Sequence, residues 1–250
     1  MNHAISKSRK IIVPLNFVKE DLVKTLNVSE NKIVVTTEGF DSNIKKGKVP
    51  QKIFEVSKDP YFLYVGNAYP HKNLESLLKA FSTFCHPELV SGSQDSDFRQ
   101  NDTMLVLVGK EDYFYKRLRR KVDEMNLSKN VIFMQDVTDE ELSSLYQNAL
   151  ALVLPSLMEG FGLTALEAMV NKCLVLASDI PSLREVCADA VIYFDPLNVD
   201  DLSKKLTMIK FHTTEYGGLR EKGLERAKLF SWEKMAKQTL AIYEQSVSSP

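Results

Sequence analysis

Short apolar segments alternate with amphipathic helical patterns along most of this chain of 250 residues. The apolar segments predict buried strands at Lys10–Val13, Lys32–Thr36, Tyr61–Val65, Met104–Val108, Val131–Met134, Ala149–Leu154, Cys173–Ala177 and Val191–Phe194. The patterns between them predict helices at Asn73–Phe84, Asp112–Met125, Asp139–Gln147 and Leu183–Ala188. Strands that are apolar throughout and are joined by helices are typical of parallel sheets covered on both faces. The sequence therefore predicts an α/β fold with a doubly wound parallel sheet.

The chain divides at a polar segment, residues 41–58, which shows no sustained hydrophobic period and is predicted to be a linker. Residues 1–40 contain one short β-α-β pattern that is too small to own a core, so we expect the end of another domain there. Residues 59–250 form the predicted main domain. Within it, residues 86–102 are a long polar insert between a helix and a strand, which predicts a surface loop at the edge opposite to ligand sites.

The tail from about residue 200 onwards shows only helical patterns, with a break near Gly217. Ser231 is predicted to cap the last helix, because a hydroxyl at that position satisfies a free backbone N–H group. Trp232 follows it and is expected to anchor this helix to the core.

Charge and composition exclude several classes of partner. The net charge is -1 and the isoelectric point is near 6.5, so nothing predicts a nucleic-acid partner or indicates membrane contact. No apolar run reaches the roughly 18 residues that a membrane span needs, and the first residues lack the apolar core of a signal peptide. The three cysteines and four histidines are scattered without ligand spacing. We therefore expect a cytoplasmic protein without a metal site.

The strongest functional signal is a glycine turn at residues 158–169, with the sequence MEGFGLTALEAM. It follows a predicted strand closed by Pro155 and leads into a helix-favouring stretch. Such a turn points backbone N–H groups and the positive end of a helix dipole at its ligand, which favours an anion such as phosphate. Glu159 stands in the loop and Glu167 about one turn into the helix. A phosphate site between two carboxylates suits a diphosphate with hydroxyl-rich ends, such as a nucleotide sugar.

A second loop, residues 64–74, follows a predicted strand that ends at Gly66. In a doubly wound sheet this loop lies at the same carboxyl edge as the glycine turn. Lys72 would then place a cation beside the anion site, and His71 is a neighbouring candidate for substrate contact. The next helix begins near Asn73, which is predicted to be its N-cap.

Four blocks of the sequence occur in the order found in a known family. They are Gly66…His71-Lys72-Asn73, Val131-Ile132-Phe133…Val137-Thr138-Asp139-Glu140-Glu141-Leu142, Pro155-Ser156…Glu159-Gly160-Phe161-Gly162-Leu163…Glu167-Ala168-Met169 and Ala177-Ser178-Asp179-Ile180-Pro181…Arg184-Glu185-Val186. With these blocks the chain resembles the carboxy-terminal donor-binding domain of retaining GT-B glycosyltransferases of group 1 (family 4-like), over roughly residues 9–246. The resemblance implies a Rossmann-like domain of a hexosyltransferase that uses a UDP-sugar or GDP-sugar as substrate and needs no cofactor.

The resemblance also implies roles for individual residues. Lys72 would hold the donor diphosphate and Glu159 would lie near the transferred sugar, which makes them the candidate catalytic residues. Glu167 would bind the ribose diol. The other substrate-binding candidates are Gly66, Asn67, His71, Val137, Gly160, Phe161, Gly162, Leu163 and Thr164. Backbone amides of the last four would meet the sugar and phosphates, the loop at Val137 would meet the base, and Lys72 would make a metal ion unnecessary.

The chain departs from the family pattern at three points. At one of them, Asn171 occupies a helix-end position that is often glycine, where asparagine is the next best residue for a left-handed conformation. Asn67 stands where many members have an arginine that supplies a second cation. Residues 9–39 match only the last strands and helix of the amino-terminal acceptor domain, so we expect a short remnant of that domain here. An alternative therefore stays open, in which the chain is a non-catalytic donor-binding fragment or a subunit that needs an acceptor-domain protein as partner. The sequence does not identify the sugar, the base or the acceptor.

A second alternative is an NAD(P)-dependent oxidoreductase. Residues 160–165 also satisfy the G-x-G-x-x-A dinucleotide pattern, and Asp179 lies about 20 residues on, where a ribose-binding acid would stand. Against this, the pattern normally opens the first β-α unit of its fold, whereas several predicted strands precede it here. It also gives no role to Lys72 or Glu159.

Overall fold

The computed structural model describes residues 2–41, 59–86 and 102–248. The predicted linker and insert lie almost entirely outside these residues. In the described part, two short strands, β1 (Ile11–Val13) and β2 (Ile33–Val35), form one parallel sheet. The second, larger sheet consists of β3 (Tyr61–Val65), β4 (Met104–Val108), β5 (Val131–Met134), β6 (Ala151–Leu154), β7 (Val175–Ser178) and β8 (Ile192–Phe194).

Helices surround the larger sheet and form the tail. Those in the described ranges are α1 (Asn2–Lys7), α2 (Asn16–Leu26), α3 (Leu74–Cys85), α4 (Tyr113–Glu124), α5 (Asp139–Asn148), α6 (Leu163–Val170), α7 (Pro181–Cys187), α8 (Val199–His212), α9 (Gly217–Ala227) and α10 (Trp232–Ser248). Short 3-10 turns occur at Glu30–Lys32, Pro70–Lys72 and Thr213–Tyr216. The predicted bounds of β3, β4 and β5 are confirmed, and those of the other strands differ by one or two residues at one or both ends.

The six strands of the larger sheet are all parallel and run in the order β5-β4-β3-β6-β7-β8. The chain therefore builds outwards from β3 in one direction, returns beside it at β6, and builds outwards in the other direction. This confirms the predicted doubly wound, Rossmann-like sheet. The reversal leaves a crevice outside the carboxyl ends of β3 and β6, which is where ligands bind in sheets of this kind.

Alternate residues of the central strands face two separate apolar layers. In β3, Leu63 belongs to the layer covered by α5, α6 and α7, whereas Phe62 and Tyr64 belong to the layer covered by α3, α4 and α8. Both faces of the sheet are therefore buried, which explains why its strands read as continuous apolar runs rather than as alternating ones.

The amino-terminal β-α-β piece is attached to the larger domain through Glu185 of α7. Its carboxylate accepts hydrogen bonds from the backbone N–H groups of Asn16 (2.7 Å) and Phe17 (2.9 Å) at the start of α2. Leu15 and Phe40 are buried in the same apolar layer as α6 and α7. A carboxylate from one segment thus caps a helix of the other, at the end where the helix dipole favours a negative charge.

The tail is helical as predicted, but Trp232 does not anchor it, since its side chain is 56% exposed. Phe230 has that role instead, because it is buried and its ring meets Phe161 edge-on at 5.6 Å. The predicted cap is confirmed, since Ser231 Oγ accepts a hydrogen bond from the Lys234 N–H group.

Candidate functional site

The loop after β3 is shaped by two buried phenols. Tyr64 donates a hydrogen bond to the carbonyl oxygen of Asn67 (2.5 Å), and Tyr115 of α4 donates to that of Gly66 (2.8 Å). Burial raises the pKa of both tyrosines above the usual value, so they remain protonated donors. Gly66 has a φ of 149°, and a Cβ there would lie 2.9 Å from the Tyr64 hydroxyl, which explains the glycine.

The loop continues into the 3-10 turn Pro70–Lys72, which is fastened to two other loops of the same sheet edge. The side chain of Asn73 donates to the carbonyl oxygens of Pro155 (3.1 Å) and Pro196 (3.0 Å), which follow β6 and β8. Asn73 is the N-cap residue of α3, as predicted, but it has a left-handed conformation and its side chain makes no cap hydrogen bond. Its side chain fixes the position of Lys72 relative to the β6 loop.

Lys72 and Glu159 meet in this crevice. Lys72 Nζ lies 2.7 Å from Glu159 Oε1 and 2.8 Å from Oε2, and the two side chains are only 18% and 11% exposed. Ser156 is fully buried and donates from Oγ to Glu159 Oε1 at 2.6 Å. Two donors, Lys72 and Ser156, thus hold the Glu159 carboxylate. The Lys72 cation lies at the crevice and is partly shielded from water. Such shielding strengthens the attraction between Lys72 and any anion that enters.

His71 is held mainly through its backbone. Its carbonyl oxygen accepts a hydrogen bond from the Leu157 N–H group (2.8 Å), and its half-buried ring faces Tyr69 at 6.1 Å between centroids. The bond to Leu157 is a further tie between the loops that carry Lys72 and Glu159.

The glycine turn after β6 leads into α6, as the sequence predicts. Gly160 is exposed, whereas Phe161 is buried and its ring packs against Phe230. Gly162 precedes α6 with a φ of 99°, and a Cβ there would lie 2.8 Å from Leu183 Cδ2. The N–H groups of Leu163 and Thr164 open the helix, where backbone donors have no partner within the helix. This edge therefore carries oriented donors suited to an anion.

Glu167 lies on the same helix, about one turn further. Tyr146 of α5 is buried, and its hydroxyl donates to Glu167 Oε2 at 3.1 Å. Burial raises the pKa of Glu167, the hydrogen bond from Tyr146 lowers it in part, and the negative charge of Asp139 raises it further. A half-buried carboxylate with remaining acceptor positions suits a pair of vicinal hydroxyls.

Val137 lies in the loop between β5 and α5, at the edge strand of the sheet. It is half-buried against the core, and the next residue, Thr138, starts a capping box. Thr138 Oγ1 accepts from the Glu141 N–H group (3.3 Å), while Glu141 Oε2 accepts from that of Thr138 (2.8 Å). This fixes the start of α5, the helix that brings Tyr146 to Glu167.

A groove of about 300 Å³ lies beside the crevice, between the start of α3 and the start of α4. Tyr69 and Phe114 form part of its wall, with their ring centroids 5.2 Å apart, and Arg117 pairs with Glu75 there at 3.0 Å. Its walls do not come from Lys72 or Glu159.

Asp179, the acid of the oxidoreductase alternative, is already engaged. Both of its carboxylate oxygens accept from Arg184, each at 2.6 Å, and this interaction lowers its pKa. The glycine turn also follows β6, the fourth strand along the chain in the larger sheet, and not the first. In the ranges that the structure covers, no group of three or more metal-binding side chains comes together. Likewise, no helix in these ranges has the length and hydrophobicity to span a bilayer.

Sequence patterns alone missed the roles of three side chains, two in this site and one at the amino-terminal piece. Ser156 holds Glu159, Tyr146 holds Glu167, and Glu185 joins α7 to the amino-terminal piece. Ser156 carries a usable signal, since it is a polar residue directly after a buried strand and its proline. Tyr146 gives none, because it belongs to an ordinary amphipathic pattern.

Comparison with known proteins identifies the family of the chain. Residues 45–216 match the model of the family described as glycosyl transferases group 1. The O-antigen chain mannosyltransferase RfbU of Salmonella typhimurium is 32% identical over 193 residues, which are 77% of this chain and 48% of that protein. The O-antigen chain mannosyltransferase B of Escherichia coli is 28% identical over 98% of this chain and 62% of its own length. The chain thus spans about half to three fifths of these relatives.

Solved structures show the same fold. Sucrose-phosphate synthase from Thermosynechococcus elongatus superposes with a TM-score of 0.80 and 24% identity, over 99% of this chain and 61% of that one. HepE from Anabaena, in complex with UDP and glucose, superposes with a TM-score of 0.79 and 17% identity, over 100% of this chain and 65% of its own. The parallel sheet, its flanking helices and the family match agree with one another, and the chain belongs to the group 1 glycosyltransferases, with their GT-B type of fold.

Proposed function

We propose that this chain binds a nucleotide-sugar donor in the crevice between β3 and β6 and supplies the donor half of a glycosyl transfer. The observation that carries the proposal is the meeting of Lys72 with Glu159 beside the amino-terminal end of α6. A cation, oriented backbone donors and two carboxylates then surround one crevice. The complex of HepE with UDP and glucose supports a nucleotide sugar as the ligand of this fold.

In this proposal the diphosphate lies between Lys72 and the first N–H groups of α6, those of Leu163 and Thr164. As the bond from the sugar to the diphosphate breaks, negative charge accumulates on the departing phosphate oxygen. A fixed cation and fixed dipoles stabilise that charge more in the transition state than in the ground state. The proposal assigns this stabilisation to Lys72 and α6 and needs no metal ion.

The two glutamates take the two ends of the donor. Glu159, held by Lys72 and Ser156, faces the transferred sugar, and Glu167, held by Tyr146, accepts hydrogen bonds from the ribose hydroxyls. The transferred group is a hexose, and its configuration at the anomeric carbon is retained. Both relatives named above are mannosyltransferases, so a mannosyl nucleotide belongs among the first donors to test.

The residues that carry this proposal concern the donor, and none of them is assigned to an acceptor. Donor binding and complete transfer are therefore separate claims. A chain that binds a nucleoside diphosphate but turns over no donor has the donor-binding role alone, as a subunit that needs an acceptor-domain protein.

The experiment is a thermal-shift titration of the purified chain with UDP, GDP and NAD, followed by assays of UDP-hexose and GDP-hexose turnover. We expect a rise in melting temperature with UDP or GDP and none with NAD. Lys72→Ala should remove this rise, whereas Lys79→Ala, which changes an exposed lysine of α3, should keep it. Stabilisation by NAD without stabilisation by UDP or GDP would contradict the proposal and favour the oxidoreductase alternative.

A further inference from the structure

A cluster of buried hydrogen bonds joins α5 to α6 behind the crevice. The Tyr146 side chain is 1% exposed, and its hydroxyl donates to Glu167 Oε2 at 3.1 Å. One turn below, Asn171 Oδ1 accepts from Ser143 Oγ (2.6 Å) and Gln147 Nε2 (3.2 Å). The fold alone does not need such a cluster, because apolar side chains could fill the same space.

The cluster holds Glu167 both at its backbone and at its carboxylate. Asn171 Nδ2 donates to the backbone carbonyl oxygen of Glu167 at 2.8 Å, while Tyr146 donates to its carboxylate. The orientation of the Glu167 side chain is thus set from α5 and from the end of α6. One carboxylate oxygen is engaged by Tyr146, which leaves the acceptor positions of the other for a ligand.

Tyr146 also favours the charged form of Glu167. Burial raises the pKa of Tyr146 well above its usual value, and the neighbouring Glu167 charge raises it further, so the phenol stays a donor. Burial raises the pKa of Glu167 too, and the negative charge of Asp139 adds to this increase. The Tyr146 hydrogen bond acts in the opposite direction, because it stabilises the ionised carboxylate.

We propose that Tyr146 is a positioning residue for the nucleoside end of the donor, which holds the Glu167 carboxylate so that its second oxygen accepts hydrogen bonds from the ribose hydroxyls. This inference rests on the proposed function and adds a determinant of specificity to it. Tyr146 acts through Glu167 and does not touch the ligand. Its loss should weaken the discrimination between ribonucleotides and deoxyribonucleotides, and should not weaken diphosphate binding itself.

The test is the affinity of the purified chain for UDP against 2′-deoxy-UDP, and for GDP against 2′-deoxy-GDP, measured by calorimetry. The variants are Tyr146→Phe, Glu167→Gln and the double variant. Tyr61→Phe is the matched control, since Tyr61 is equally buried and donates to the carbonyl oxygen of Leu145, the neighbour of Tyr146, at 2.7 Å. It removes a buried phenolic hydrogen bond of the same kind without altering Glu167.

We expect Tyr146→Phe to lose about three- to tenfold in ribonucleotide affinity and less in deoxyribonucleotide affinity, because 2′-deoxyribose keeps only one of the two hydroxyls that Glu167 would bind. Tyr61→Phe should keep the ribose preference of the unmodified chain. In the Glu167→Gln background the Tyr146 substitution should add little, because two residues that act through one contact are not additive. The ribose preference of Tyr146→Phe should also disappear at a higher pH than that of the unmodified chain as the solution is acidified.

Two results would overturn the inference. One is an equal loss of ribonucleotide and deoxyribonucleotide affinity in Tyr146→Phe; the other is the same change in Tyr61→Phe. If Glu167→Gln abolishes the ribose preference and Tyr146→Phe keeps it, the inference fails and the proposed function stands. If Glu167→Gln keeps the preference while UDP or GDP still binds, the ribose does not lie at Glu167, and both the inference and that part of the proposed function fail.

Discussion

Lys72 and Glu159 are 87 positions apart in the sequence, yet the Lys72 ammonium group contacts both oxygens of the Glu159 carboxylate. Their loops follow β3 and β6, neighbouring strands at the point where the chain reverses its direction of sheet building. The contact has a consequence for ligand binding. An entering diphosphate competes with Glu159 for the same cation, so Glu159 both shapes the site and opposes the anion.

The substitution Glu159→Gln should therefore separate binding from catalysis. It removes the competing charge from Lys72 and keeps the size of the side chain, so nucleoside diphosphates should bind about two- to tenfold more tightly. Donor turnover, where the chain shows it, should fall. Calorimetric titration with UDP and GDP measures the first effect. Glu221→Gln, which changes an exposed carboxylate paired with Lys172, is the control and should alter neither quantity. Weaker diphosphate binding by Glu159→Gln would contradict this competition.

Glu167 should make the protein less stable as the pH rises. Because burial raises its pKa in the folded state, that state binds more protons than the unfolded chain between the usual value of 4.5 and the raised value. The contribution of Glu167 to stability is therefore complete below the usual pKa and is lost as the pH rises through the raised one.

Glu167→Gln removes this loss, so we expect the variant to melt at a higher temperature than the unmodified chain near neutral pH, at the expense of nucleotide affinity. The difference in melting temperature between the variant and the unmodified chain should shrink as the pH falls towards the usual pKa of a glutamate, 4.5. Scanning calorimetry over this pH range measures it, with the exposed Glu225→Gln as control. A difference that grows on acidification would show that the sign is wrong.

The two glycines of the turn should differ in their tolerance of a side chain. Gly162→Ala places a Cβ against Leu183 at a positive φ, so it should cost about 1–2 kcal/mol of unfolding free energy. Gly160→Ala is the matched comparison, because nothing lies within 4 Å of a Cβ at that position. Denaturant unfolding of both variants checks this. Equal losses at the two positions would contradict the geometry of the turn.

Glu185 should hold the amino-terminal piece to the larger domain. Glu185→Ala removes the acceptor for the N–H groups of Asn16 and Phe17, which should cost about 1–2 kcal/mol, as the loss of a helix cap does. Hydrogen exchange should increase in α2 and remain unchanged in β3. If the variant shows no faster exchange in α2, the carboxylate does not carry this attachment.

The sequence predicted the sheet well because its strands are buried on both faces and read as unbroken apolar runs. The strand predicted at Ala149–Leu154 begins two residues later in the structure. Ala149 closes α5 instead, where its N–H group donates to the carbonyl oxygen of Leu145. The meeting of Lys72 and Glu159 was also predictable, because loops that follow parallel strands share one edge.

Contacts that depend on the rotation of a helix or on strand order were not predictable. Tyr146 reaches Glu167 only through the orientation of α5 against α6. Asn73 takes the N-cap position that the sequence predicts, yet its side chain donates to the loops after β6 and β8. Those loops become its neighbours only once the strand order is known. Residues that link distant segments leave no periodic signal in the chain.

Donor binding at this crevice depends most directly on recognition of a diphosphate by Lys72 and the start of α6. Isothermal titration calorimetry with UDP against UMP, and with GDP against GMP, measures this recognition. We predict that one diphosphate binds at least about tenfold more tightly than its monophosphate, and that Lys72→Met removes most of this preference. Saturable binding of neither diphosphate, or a preference that survives Lys72→Met unchanged, would contradict it.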